Sequence, residues 1–187
     1  MRISGGDLRG RPLQSVKGKV IRPTSDLLRQ AIFNVLGPGV RNARVLDLCA
    51  GTGAIGLEAL SRGAAEATFV ENDRRAVETL RSNLMRLDLT ARAQVVASDV
   101  LLALRRLGAR GDRFDYIFLD PPYAGSLAVD CIETLADGAI LGENGALVTQ
   151  ALHTTPLPER AGVLRQTWRR RYGESCLAVY MREKACR

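Results

Sequence analysis

Short apolar runs alternate with amphipathic segments along most of the chain. The apolar runs predict buried strands at 45–48, 67–71, 94–97, 116–119 and 146–149. Apolar residues at helical spacing predict helices between them, at 53–61, 74–87, 100–107 and 127–135. Strands that alternate with helices predict an α/β fold, in which helices cover both faces of a mainly parallel sheet.

The N-terminal part departs from this alternation. Residues 1–21 are rich in Gly, Arg and Lys with a short apolar alternation, which indicates a small hairpin or arm. Capping candidates at 24–26 then precede apolar residues at helical spacing over 27–36. The Gly-Pro-Gly sequence at 37–39 ends this predicted helix.

The C-terminal part also differs from the alternating core. Residues 163–181 alternate like two longer strands around Gly173, and a pair joined by so short a turn is antiparallel. A chain of this length suits one domain. We therefore predict a single domain over 1–187, with a hairpin-and-helix extension at 1–38 and an α/β core at 40–187.

The first predicted strand runs into a glycine-rich loop that begins at Asp47. Gly51 and Gly53 allow a sharp turn and let a ligand lie against the backbone, and the helix that follows presents free N–H groups. Glu71 ends the second strand, where a carboxylate can accept hydrogen bonds from both ribose hydroxyls of a nucleoside. The sequence therefore predicts a nucleoside cofactor at this edge of the sheet.

Two cofactors fit this loop. The spacing Gly51-x-Gly53-x-x-Gly56 matches the dinucleotide fingerprint, so an NAD enzyme is one interpretation. Asp47 favours S-adenosylmethionine instead, because a carboxylate suits its cationic amino-acid part better than a pyrophosphate. A tight turn without any ligand is the third interpretation.

Asp99 follows the third predicted strand. Because ligands bind beyond the carboxyl ends of the strands in such sheets, Asp99 is a candidate acceptor for an adenine amino group. It is equally a candidate N-cap for the helix over 100–107. The sequence leaves both roles open, and one residue can fill both.

The fourth predicted strand ends in Asp120-Pro121-Pro122-Tyr123. Two prolines cannot continue a sheet ladder, so they predict a stiff loop beside the cofactor. Asp120 and the Pro121 carbonyl can accept hydrogen bonds from an amino group, and Tyr123 offers a ring on which a base can stack. Two such acceptors would turn the lone pair of an aromatic amine toward a sulfonium methyl. A turn without chemistry is the alternative.

The net charge of +7 is unevenly distributed. Residues 1–29 hold seven Lys/Arg against two Asp, residues 160–187 hold eight against two Glu, and residues 30–159 hold twelve against sixteen acids. Two basic ends around an acidic centre favour contact with a polyanion over a merely solvated surface. The candidate phosphate contacts are Arg9, Arg11, Arg169, Arg170 and Arg171.

Several classes of protein do not fit this composition. No apolar run approaches the roughly 20 residues of a membrane span, and no signal peptide begins the chain, so we expect a cytoplasmic protein without a membrane partner. The cysteines Cys49, Cys131, Cys176 and Cys186 are scattered, and His153 is the one histidine. We therefore expect no metal site, no disulfide framework and no Cys/His nucleophile.

The 47–53 loop, Glu71 and the 120–123 sequence resemble class I S-adenosylmethionine methyltransferases that act on amino groups. More narrowly, the chain is similar to the RsmD family of bacterial 16S rRNA guanine-N2 methyltransferases. The residues that carry this narrower resemblance are Arg2-Ile3-Ser4-Gly5-Gly6, Arg9-Gly10-Arg11, Arg22-Pro23-Thr24, Arg29, Ala31, Phe33, Asn34, residues 57–64, and Arg171-Tyr172-Gly173.

The resemblance implies a Rossmann-like fold with a seven-stranded, mostly parallel sheet, its last strand antiparallel, preceded by a small N-terminal β-hairpin and helix. It implies methyl transfer from S-adenosylmethionine to N2 of a guanine in 16S rRNA, with Asp120, Pro121 and Tyr123 at the target base. Taken with the loop sequence, the candidate cofactor-binding residues are Asp47, Ala50, Gly51, Thr52, Gly53, Glu71, Asn72, Asp99 and Thr24. Taken with the charge pattern, the candidate RNA-binding residues are Arg9, Arg11, Arg22, Arg29, Arg170 and Arg171.

We expect a monomer whose partner is 16S rRNA or the small ribosomal subunit. A DNA adenine-N6 methyltransferase is an alternative, although 187 residues leave little room for a target-recognition region. A protein glutamine methyltransferase would not explain the two basic ends. A catalytically idle RNA-binding or assembly factor would have no need of the intact set of Asp47, Glu71 and Asp120.

Overall fold

The computed structural model describes residues 1–16, 26–122 and 125–183. Its helices are α1 (Asp26–Leu36), α2 (Ala54–Ser61), α3 (Arg74–Arg86), α4 (Val100–Ala109) and α5 (Leu127–Thr134), with short 3-10 helices at Gly37–Val40 and Thr90–Arg92. Its strands are β1 (Arg44–Leu48), β2 (Glu66–Glu71), β3 (Ala93–Ala97), β4 (Phe114–Leu119), β5 (Leu141–Leu152), β6 (Arg160–Ala161), β7 (Leu164–Tyr172) and β8 (Ser175–Arg182). Three candidate residues, Arg22, Thr24 and Tyr123, lie outside the described residues.

The strands form one sheet in the order β3-β2-β1-β4-β5-β8-β7-β6. The first five strands pair in parallel, and β8 pairs antiparallel with both β5 and β7. The mostly parallel sheet with an antiparallel last strand is therefore confirmed. The strand order reverses between β1 and β4, and ligands bind at such a reversal, beyond the carboxyl ends of the strands.

The sheet has eight strands rather than the seven expected. The additional strand, β6, is only Arg160–Ala161 and pairs antiparallel with Leu164 and Arg165 across a turn at Gly162. Two residues are too few to show an alternating pattern, so no sequence signal marks them. The fifth strand is also longer than predicted, because its backbone continues through the polar and glycine positions of 142–145.

Helices cover both faces of the sheet, as the alternation predicts. Side chains of α1, α2 and α3 pack on one face with strand residues such as Val45 and Phe118. Side chains of α4 and α5 pack on the other with Leu46 and Ile117. We call these the α1 face and the α4 face. No helix among the described residues has both the length and the apolar character to cross a membrane.

The first thirteen residues form the predicted hairpin-like arm. Arg2 and Pro12 form an antiparallel bridge, and the Ile3 N–H donates to the Arg11 carbonyl at 3.0 Å. The arm lies against the end of α2, where the Asp7 N–H donates to the Ser61 carbonyl at 2.8 Å. Backbone hydrogen bonds of this kind keep the arm in place although it contributes no strand to the main sheet.

A buried charge cluster joins the arm to α1 and α2. The Glu58 carboxylate accepts hydrogen bonds from the Ser4 N–H at 2.7 Å and from Arg62 Nε at 2.9 Å. Arg29 Nε lies 3.8 Å from the same carboxylate, and Arg29 Nη2 donates to the Arg2 carbonyl at 2.7 Å. The arm residues and the α2 residues that carry the family resemblance thus contact each other.

This cluster corrects the prediction that Arg29 contacts RNA. The Arg29 side chain has 0% exposure, so its guanidinium has no surface to offer a phosphate. A buried arginine must have its charge compensated, and Glu58 lies beside it. Because Arg29 lies in a basic N-terminal stretch, the sequence predicts that its side chain is exposed. Charge alone does not distinguish a solvated arginine from a buried arginine with a partner.

Candidate functional site

Three carboxylates meet at the carboxyl edge of the sheet, where its order reverses. Asp47 is the penultimate residue of β1, Glu71 is the last residue of β2, and Asp120 directly follows β4. The Asp120 N–H donates to the Leu48 carbonyl at 3.4 Å, which ties the loop after β4 to the end of β1. The structure therefore brings together these three predicted site residues.

The loop after β1 turns through backbone conformations in the left-handed region. Gly51 has φ +56° and Gly53 has φ +84°. The φ of Gly53 favours glycine, and a Cβ there would lie 2.3 Å from Leu80 Cδ1 and force that buried side chain to shift. A Cβ on Gly51 would meet no atom within 4 Å, so this backbone faces open space that a ligand can occupy.

Glu71 holds this loop in place. Its Oε2 accepts a hydrogen bond from the Gly51 N–H at 2.7 Å, and its Oε1 accepts from the N–H groups of Asn72 and Asp73 at 2.9 and 2.8 Å. A carboxylate has about four acceptor positions, so three are in use. A ribose hydroxyl can use the position left on Oε2, and a second hydroxyl would have to replace a backbone N–H. The predicted bond to both hydroxyls stays a prediction.

Asp47 is almost fully buried, with 1% exposure. Its Oδ2 accepts a hydrogen bond from the Gly56 N–H at 2.8 Å, in the first turn of α2. The pKa of Asp47 is raised from 3.8 to about 7, chiefly by burial and also by the charges of Asp120 and Glu71, which together outweigh the lowering effect of the hydrogen bond from the Gly56 N–H. The Asp47 carboxyl therefore carries a proton over much of the acidic range when no cation lies beside it.

The pKa of Asp47 predicts a dependence of stability on pH. Because the folded protein holds this proton more tightly than the unfolded chain, the free energy of unfolding should fall as pH rises from about 4 to about 7. Asp47→Asn keeps an acceptor for the Gly56 N–H without the buried charge. Without cofactor, the variant should be more stable than the wild type at pH 8, by an amount on the order of a few kcal/mol, and similar to it near pH 4. Urea unfolding at both pH values measures this, and parallel pH profiles for the two proteins would contradict it.

Cys49 lies between the carboxylates but is not a nucleophile. Burial raises the pKa of the Cys49 thiol far above its usual range, and Cys131 and the charges of Glu71, Asp120 and Asp47 add to the shift. A thiol that stays protonated is unreactive. Cys49, Cys131 and Cys176 are free thiols.

The remaining candidate cofactor residues lie around the same edge. Asp99 accepts a hydrogen bond from the Leu102 N–H at 3.0 Å, so its role as the N-cap of α4 is confirmed, while its adenine contact stays a prediction. Asn72 is exposed beside Glu71, and Thr52 is buried in the loop. The Ala50 N–H donates to the Val70 carbonyl at 3.0 Å and thereby joins the loop to β2.

Sequence reasoning missed Asn83, which joins the arm to the cofactor loop. This α3 side chain has 1% exposure and pairs with both backbone groups of Gln14, accepting from its N–H at 2.8 Å and donating to its carbonyl at 3.2 Å. Asn83 Nδ2 also donates to the Thr52 carbonyl at 3.1 Å. The sequence signal for Asn83 is its position as a polar residue within the apolar stripe of α3, because a buried amide needs hydrogen-bonding partners.

The exposed basic candidates occupy two separate surfaces. Arg9 and Arg11 lie on the arm, and Arg11 Nη2 donates to the Arg86 carbonyl at the end of α3. Arg170 and Arg171 lie on β7, which is four strands from β1 in the sheet. Arg171 stands opposite Cys176 of the α4 face and Arg170 opposite Leu177 of the α1 face, so consecutive arginines of β7 lie on opposite faces of the sheet.

Comparison with known proteins agrees with this geometry. A family model described as conserved hypothetical protein 95 matches residues 1–181. Ribosomal RNA small subunit methyltransferase D of Escherichia coli K12 is 38% identical over 84% of this chain and 78% of its own length. The chain belongs to the RsmD family. The family predicted from the arm and α2 sequences is therefore confirmed.

Two further matches extend almost from end to end. The Bacillus subtilis protein YlbH is 39% identical over 96% of this chain and 98% of its own. The solved structure of Escherichia coli yhhF has a TM-score of 0.87 and 35% identity, and the match covers 98% of both chains. Because the match covers 98% of this chain, it includes the arm as well as the sheet, and both are parts of the fold that the two chains share. The class I methyltransferase fold predicted for the chain is confirmed.

Proposed function

We propose that this chain transfers a methyl group from S-adenosylmethionine to the exocyclic N2 of a guanine in the 16S rRNA of the small ribosomal subunit. The observation that carries the proposal is the meeting of Asp47, Glu71 and Asp120 at the point where the strand order reverses. The cofactor site and the target-base site would therefore lie next to each other at this edge of the sheet, in a chain that belongs to the RsmD family. The name of the Escherichia coli relative supports rRNA of the small subunit as the substrate class.

The residues at this edge fit S-adenosylmethionine. The cofactor has a sulfonium and an ammonium group, and three carboxylates near one another suit such a cation. Glu71 and Asn72 would hold the ribose, Asp99 the adenine, and the open backbone at Gly51 the amino-acid part. A cation beside Asp47 lowers the pKa of that carboxyl, so cofactor affinity should rise with pH up to about 7.

Asp120 and Pro121 would position the target amine. The cofactor supplies an electrophilic methyl group on a sulfonium, and no metal is needed for its transfer. The Asp120 carboxylate and the Pro121 carbonyl would accept hydrogen bonds from the two hydrogens of the guanine amine, which turns the nitrogen lone pair out of conjugation with the ring. The nitrogen becomes acidic once it is methylated, and Asp120 or water can take the proton. A paired guanine would first have to leave its stack.

The test is methyl transfer from labelled S-adenosylmethionine to small subunits from a strain that lacks the endogenous enzyme. We expect the label in N2-methylguanosine after digestion of the 16S rRNA to nucleosides. Label in N6-methyladenosine or in ribosomal protein would overturn the substrate but keep the cofactor. If there is no label and no thermal stabilisation by millimolar S-adenosylmethionine, the idle-binder alternative would replace the proposal.

A further inference from the structure

The end of β7 lies at the same edge of the sheet as Asp120. Leu119 of β4 pairs with Thr149 of β5, Thr149 pairs with Ala178 of β8, and Ala178 pairs with Arg169 of β7. One residue further toward this edge, Gln150 pairs with Leu177, and Leu177 pairs with Arg170. Asp120 follows Leu119, so Asp120 and Arg170 occupy corresponding positions. Three strand spacings of about 4.8 Å separate them, which is roughly 14 Å.

Arg170 and Asp120 also share a face. Successive residues of a strand point to opposite faces, so Asp120 has the orientation of Phe118, whose side chain packs on the α1 face. Leu177 packs on that face too, and Arg170 stands directly opposite Leu177. Arg169 and Arg171 stand opposite Ala178 and Cys176 of the α4 face. Of the three consecutive arginines, only Arg170 lies on the same face as the target site.

All the guanidinium donors of Arg170 are open to a ligand, whereas each neighbouring arginine has one guanidinium nitrogen engaged. Arg169 Nη2 donates to the carbonyls of His153 and Thr155, each at 3.2 Å, and Arg171 Nε donates to the Gly173 carbonyl at 2.7 Å. Within the part of the chain that the structure describes, the Arg170 guanidinium has no hydrogen-bonding partner. It lies over the half-buried ring of Tyr172, 5.6 Å from the ring centroid, which restricts an otherwise flexible side chain.

We propose that Arg170, held over the Tyr172 ring, binds a backbone phosphate of the RNA strand that carries the target base. The inference rests on the proposed function, because it assumes that the RNA strand runs from the Asp120 site along the α1 face toward β7. A guanidinium presents paired N–H donors to a phosphate, and a span of roughly 14 Å reaches a nucleotide near the target rather than a distant part of the subunit. Arg171 stands on the opposite face, so the proposal replaces the expectation that Arg171 also binds RNA, and Arg171 makes no contact with this RNA strand.

Arg170→Ala and Arg171→Ala are a matched pair of variants, since each removes one exposed arginine from the same strand. For unmethylated small subunits, Arg170→Ala should raise KM about tenfold, and Arg171→Ala should change it less than about twofold. The kcat and the Kd for S-adenosylmethionine should not change in either variant. The slope of log KM against log salt should also fall by about one for Arg170→Ala only.

Tyr172 variants test how the guanidinium is held. Tyr172→Phe keeps the ring and should behave as the wild type, whereas Tyr172→Leu should raise KM, but less than Arg170→Ala does. Melting temperatures of all four variants identify any that fail to fold. Equal KM values for Arg170→Ala and Arg171→Ala would overturn this inference while wild-type transfer to rRNA still upheld the proposed function. A wild type that methylates no rRNA would overturn the proposed function itself.

Discussion

Replacing Asp120 by alanine should lower kcat for methyl transfer about 10²–10³-fold, because the substitution removes an acceptor that aligns the target amine. Asp120 follows β4 beside the end of β1 and lies outside the helices and strands. Asp120→Asn keeps one acceptor oxygen without the charge and should lose less activity than the alanine variant. Single-turnover methyl transfer to small subunits measures both.

The control for Asp120 is Glu143→Ala, an exposed carboxylate near the start of β5, at the opposite edge of the sheet. It should keep full activity. Binding of S-adenosylmethionine should persist in Asp120→Ala, and the pKa of Asp47 should fall there because a neighbouring negative charge is gone. Full activity in Asp120→Ala would remove this residue from the proposed chemistry.

Glu58→Ala should lower the free energy of unfolding by about 3–5 kcal/mol, because it leaves the Arg29 charge buried without its carboxylate. Both side chains of this pair have 0% exposure. The substitution also removes the acceptor for the Ser4 N–H, so the arm should become a substrate for limited proteolysis. Urea unfolding and mass spectrometry of the fragments measure the two effects.

Glu66→Ala is the matched control for Glu58. Glu66 also pairs with an arginine, at 2.5 Å from Arg44 Nε, but both side chains are about half exposed. An exposed pair contributes at most about 1 kcal/mol, so this variant should remain close to the wild type. Losses of similar size in the two variants would mean that the buried cluster does not hold the arm.

The sheet and the candidate site at its carboxyl edge could be predicted because they depend on local sequence patterns. Asp47, Glu71 and Asp120 each end or follow a short apolar run, and the carboxyl ends of parallel strands meet at one edge. Each of these residues can therefore be predicted from its own strand, before its partners in the fold are known. The small β6 strand has no such run, and the structure alone reveals it.

The buried polar contacts could not be predicted, because they depend on partners far apart in the sequence. The sequence does not distinguish Arg29 from an exposed basic residue, because it does not show that Glu58 lies beside it. It also does not distinguish Asn83 from an ordinary polar residue of a helix. The same limit applies to Arg170, which differs from Arg169 and Arg171 only through the register of β7 against β8. Strand register decides which of three identical side chains lies on the α1 face of the sheet.

The docked arm also has a consequence for the order in which the chain folds during synthesis. Ser4 leaves the ribosome 54 residues before Glu58, to which it binds, and Gln14 leaves 69 residues before Asn83. At roughly 5–20 residues per second, Ser4 waits about 3–11 s for its partner. The arm is therefore made before the residues that hold it in place. Until α2 and α3 have formed, its arginines are exposed beside the ribosome's own RNA.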